Sequence, residues 1–67
     1  MDVIEYLKQQ GFTYVPEESI STRHFPHHKF INAKGVSLIV MPGMFCVEDK
    51  IFMTLKEALA YAKEVSK

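Results

Sequence analysis

Apolar residues recur along this chain at two intervals, one helical and one extended. Near the start Val3, Ile4 and Leu7 fall on one side of a helix while Glu5 and Lys8 point elsewhere. Asp2 and Glu5 have the spacing of a capping box, and Gly11 can take the left-handed conformation that closes a helix. The pattern predicts a short first helix, with Phe12 folding back on its last turn. Toward the other end Leu55, Ala58, Leu59, Ala62 and Val65 repeat at helical spacing, and Thr54 with Glu57 forms a second capping box. A second helix closes the chain.

Between them the period falls to two. "FTYV" predicts a short strand, after which Pro16 and Pro26 remove backbone donors and "PEES" favours a turn over a continued strand. "HKFI" and "VSLIVM" flank Asn32-Ala33-Lys34-Gly35, where an asparagine and a glycine stand ready for positive φ, so this stretch predicts a β-hairpin. Val36, Leu38 and Val40 alternate with Ser37, Ile39 and Met41. Both faces of that strand are therefore largely apolar, which places it centrally in a sheet. Pro42-Gly43 ends it, and "MFCV" and "IFM" surround the polar connection Glu48-Asp49-Lys50. The order is helix, a three- or four-stranded antiparallel sheet, helix: an α+β, αβββα-like two-layer sandwich with both helices on one sheet face. No repeat, low-complexity tract or linker divides residues 1–67, which read as a single domain.

Composition narrows the classes open to such a domain. With 67 residues there is room for one core, because a chain of this size buries only about 60% of the surface its unfolded form exposes. A hydrophobic fraction of 48% and a charged fraction of 24% are those of a globular protein. Eight basic and eight acidic residues give no net charge, which removes the global attraction to phosphate that many nucleic-acid binders use. Cys46 is the only cysteine, so an intrachain disulfide and a CxxC zinc pattern are both impossible and a reducing compartment is the natural reading. "MDVIEYLKQQ" lacks the basic and apolar regions of a signal peptide, and apolar runs such as Leu38 to Met41 fall far below the roughly 18 residues of a membrane span. The expectation is a soluble cytoplasmic protein without a membrane partner.

Candidate chemistry concentrates in "STRHFPHHKF", which holds all three histidines. His24, His27 and His28 carry imidazole, the side-chain type whose ordinary range suits general acid-base catalysis at neutral pH. In an extended segment His28 shares a side with Phe30 and Lys29 faces the other way, so one of His27 and His28 lies near the core and the other points to water. The plainer reading is a structural or surface histidine. A metal site would need ligands in closely spaced pairs from two places, and the sequence supplies one; no metal and no cofactor are expected. From Ser19 to Val47 the chain carries Arg23, Lys29 and Lys34 and no acidic residue. Together these three form a candidate phosphate-contacting surface, although cations in a polar strand also keep a sheet edge soluble. Cys46 lies between apolar neighbours and is expected in the core; Met41, Met44 and Met53 with Phe45 and Phe52 could make an adaptable apolar binding surface, but in a sheet covered by two helices most of them are expected in the core. No P-loop, GxGxxG, HExxH or nucleophile elbow occurs, which argues against nucleotide-dependent chemistry.

The succession of "VIEYLKQQGF", "HHKF", a strand ending in Val-Met-Pro and "TLKEAL" resembles the HicA-type toxins of toxin-antitoxin pairs, small mRNA-cleaving proteins with a double-stranded-RNA-binding-like fold. The resemblance implies that His27 or His28, at the opening of the second strand, is catalytic and that Lys29 helps to hold RNA. Phe25-Pro26 stands where that family has a small Gly-Ser before its histidine. The residues read on their own favour a non-enzymatic interaction module, of the kind phages and mobile elements carry as accessory proteins. It would engage a protein or RNA partner through its sheet edge or histidine loop, and pairing of two copies along a sheet edge is one form this takes.

Overall fold

The computed structural model describes residues 3–20 and 26–67. Asp2, expected to cap the first helix, and Arg23 and His24 lie outside the described residues. The order is α1 (Val3–Gln9), β1 (Phe12–Ile20), β2 (His27–Asn32), β3 (Ser37–Met41), β4 (Met44–Val47), β5 (Lys50–Phe52) and α2 (Leu55–Val65). All neighbouring strands are antiparallel, and the sheet runs β1-β2-β3-β4-β5 in chain order. The fold is α+β as the sequence predicts, with five strands where three or four were expected. β3 does occupy the centre.

Short connections explain the simple meander. Gly35 ends the β2–β3 turn at φ 83°, while Asn32 contributes through its side chain and not through positive φ: its Oδ1 accepts from the Lys34 and Val36 amides at 3.0 and 2.9 Å. Pro42 and Gly43 alone join β3 to β4, with Met41 opposite Met44 and Gly43 at φ 76°, the positive φ a type II turn demands of its third residue. Glu48 and Asp49 join β4 to β5, and Glu48 stands at φ 56°. Gly11, at φ 92°, closes α1.

The largest departure from the sequence reading lies in β1. "PEES" does not turn the chain away; the strand continues through it to Ile20. Val15 pairs with Lys29 and Ile20 with His27, so four residues of β1 bulge opposite His28. Pro16 has no amide to offer a ladder here, and the Ser19 side chain bridges β1 to β2 instead. The Ser19 hydroxyl donates to the Val15 carbonyl at 2.7 Å and accepts the Lys29 amide at 2.9 Å.

Both helices pack on the same face. Leu7 of α1, Ala58 and Ala62 of α2, and Phe12, Phe30, Val36, Leu38 and Val47 form one buried cluster. At α2 the capping hydroxyl of Thr54 accepts the Glu57 amide at 3.2 Å and donates to the Glu57 carboxylate at 2.9 Å. The apolar stripe of α2 is graded: its alanines are fully buried, Leu55 and Leu59 are half-buried, and Val65 is exposed. Small residues let the helix backbone approach the sheet closely. On α1, likewise, Leu7 is buried and Ile4 half-buried, whereas Val3 is exposed.

Candidate functional site

Because strand side chains alternate, the observed register assigns each paired sheet residue to a face. The rows Tyr14-Phe30-Leu38-Val47 and His28-Val40-Phe45-Phe52 cross the sheet on the helix side and build the core. The row Val15-Lys29-Ile39-Cys46-Ile51 crosses all five strands on the other side. Ile31 and the pair Met41-Met44 share that second face. Among the described residues no helix covers it, and none of its side chains is fully buried. Ile51 is 63% exposed.

Two expectations are corrected by this register. Cys46 is not a core residue: it is half-buried on the helix-free face, with its Sγ 3.5 Å from the Glu48 carbonyl oxygen. The methionines and phenylalanines also part company. Phe45 and Phe52 pack against the core, Phe52 with its ring 5.3 Å from that of Tyr61, but Met41 and Met44 lie on the open face and Met53 is 70% exposed. The signal that could have found this face was the double apolar alternation of β3, whose second set of side chains needs a cover that the two helices, both on the opposite side, do not give.

The histidines divide as alternation requires. His28 is on the helix side, where its Nδ1 is hydrogen-bonded to the Tyr14 hydroxyl at 3.1 Å and Tyr14 in turn packs against Phe30. His27 shares the helix-free face with Lys29, and it is half-buried beside Ile20 instead of standing clear in water.

Lys29 lies within β2 and Lys34 in the turn beyond it, five residues further along the chain. The Lys29 ammonium is held at 2.9 Å by Glu18, an acid from the β1 bulge that the sequence interval excluded. Lys34 is exposed. The same bulge that lengthens β1 therefore delivers a carboxylate onto the cation expected to meet phosphate. Among the described residues no group of three or more His, Cys, Asp or Glu side chains converges as metal ligands, and no helix is long and apolar enough to cross a membrane.

No protein-family model matches the chain, and neither a curated protein nor a solved structure matches it. The reading of the site rests on its own geometry.

Proposed function

We propose that this protein is a non-enzymatic interaction module whose contact surface is the helix-free face of its sheet. One observation carries the reading: Val15, Ile31, Ile39, Met41, Met44 and Ile51 share a face with no cover among the described residues. Contiguous exposed apolar surface marks sites of protein association, and methionine adapts to varied partners. The charged pair on this face, Lys29 with Glu18, is satisfied internally, so that pair offers no net charge for a partner to match. A second copy meets that condition, since two such sheets can pack face to face about 10 Å apart.

Ile39→Lys at the centre of the face tests it. Wild type is expected to associate in sedimentation velocity as concentration rises, and the variant to sediment as a monomer with an unchanged circular-dichroism spectrum. A wild type that stays monomeric and binds no apolar dye, or a variant that unfolds, overturns the assignment.

The RNA-cleaving reading drawn from the HicA resemblance retains one favourable observation, His27 and Lys29 side by side on the open face of β2. Incubation of wild type, His27→Ala and His28→Ala with a mixed-sequence RNA separates the two readings. Cleavage that either variant reduces by roughly 100-fold or more, the typical worth of general acid-base catalysis, would replace the interaction module with an enzyme.

A further inference from the structure

The two helices sit over different parts of the sheet, α1 against β1 and α2 against β4 and β5. A groove of about 450 Å3 opens between them, with Tyr6 and Gln10 on one wall and Leu55 and Leu59 on the other. It continues past Gln10 and Leu59 into a second, smaller hollow of about 80 Å3 that reaches Asn32 and Ser66. Lys56 and Lys63 line it, and among the described residues no acidic one does.

Charge on the helices is sorted. The glutamates of α1 and α2 are engaged away from the groove: Glu5 lies 3.9 Å from Lys8, Glu57 accepts from the Thr54 hydroxyl, and Glu64 lies 3.3 Å from Lys67. Lys56 and Lys63 make no ion pair among the described residues. Being seven residues apart, they stand about 10 Å from one another along α2 at 1.5 Å rise per residue. A neutral protein thus presents an apolar cleft edged by two cations that form no ion pair among the described residues.

We propose that this groove binds an acidic segment of a partner protein, seating an apolar side chain between α1 and α2 and pairing two carboxylates about 10 Å apart with Lys56 and Lys63. The surface is separate from the helix-free sheet face, so either assignment can fail alone.

The probe is a fluorescein-labelled peptide, acetyl-Ser-Glu-Leu-Leu-Glu-Ser-amide, whose carboxylates fall about 9 Å apart on one side of a polyproline II backbone with its three residues per turn, beside the same peptide with lysine in place of glutamate. Fluorescence anisotropy with full-length protein is expected to show binding of the acidic peptide only. The double variant Lys56→Glu/Lys63→Glu should weaken it at least about tenfold, and raised salt should weaken it in wild type, as attraction between exposed charges requires. Ile39→Lys should leave it unchanged. Should the charge-reversed protein lose its circular-dichroism spectrum, Lys56→Gln/Lys63→Gln serves in its place with the same expected direction. Equal binding of the two peptides, indifference to the lysine substitutions, or capture of wild type by phosphatidylserine vesicles with no binding of the acidic peptide would each overturn the proposal.

Discussion

Asn32 and Ser66 stand 34 residues apart in the chain, and the Asn32 side-chain amide donates to the Ser66 hydroxyl at 2.8 Å. That hydroxyl donates onward to the Ala62 carbonyl at 2.6 Å, an acceptor in the last turn of α2. The other end of the Asn32 amide accepts two backbone N–H groups of the β2–β3 turn. One side chain therefore fixes both the central hairpin and the end of the last helix.

Asn32→Ala should destabilise by about 1 to 3 kcal/mol, because it leaves the half-buried Val36 amide without its acceptor and breaks the link to Ser66, while the exposed Lys34 amide can turn to water. Ser66→Ala removes a single link and should cost about 0.5 to 1.5 kcal/mol. Chemical denaturation of both single variants and the double variant checks this. Strictly additive effects would show that the two residues do not act as one connection.

Glu48→Gly should stabilise the protein by about 0.5 to 1 kcal/mol. Glu48 is the one non-glycine residue at positive φ among those described, and it holds the first position of a two-residue hairpin turn whose second residue is not at positive φ. A turn of that form prefers glycine there. A lowered denaturation midpoint would mean that the Glu48 side chain contributes more than its backbone strain costs.

What could be read from the sequence was whatever local chemistry determines. Thr54 and Glu57 gave the start of α2, the two faces of β3 gave its central position, and the polar runs gave the hairpins. The length of β1 was hidden because Ser19 bonds the Lys29 amide across ten residues of chain, a connection no local pattern records. The candidate cations were legible as a composition bias, but the Glu18 carboxylate that meets Lys29 became visible only with the bulge. The open face was half legible. Its apolar residues stood in the alternation, whereas which side the helices take depends on tertiary packing.

Burial on β3 and α2 predicts an order of sensitivity that side-chain size alone does not. Leu38→Ala, at a fully buried position, should cost about 2 to 5 kcal/mol. Leu59→Ala should cost less, since Leu59 is half-buried on the wall of the groove. Ala62→Leu should cost about 1 to 3 kcal/mol by overpacking the close approach of α2 to the sheet. If Leu59→Ala proved the most damaging of the three in urea denaturation, the groove would have to be closed in solution.

Two interactions hold the β1 bulge against β2, and their magnitudes should differ. The Ser19 hydroxyl closes two backbone connections from a half-buried position, so Ser19→Ala should cost about 1 to 2 kcal/mol and speed hydrogen exchange at the Lys29 amide. The Glu18–Lys29 pair is short, but the Glu18 side chain is 57% exposed, and pairs so open to water contribute about 0 to 1 kcal/mol that salt screens further. Glu18→Gln should therefore change stability little and leave exchange at that amide unaltered. Measuring both variants by denaturation and by exchange decides which contact keeps β1 in register. A larger loss from Glu18→Gln, vanishing at high salt, would show that charge and not the serine hydroxyl closes the bulge, and the Lys29 cation would then be structural.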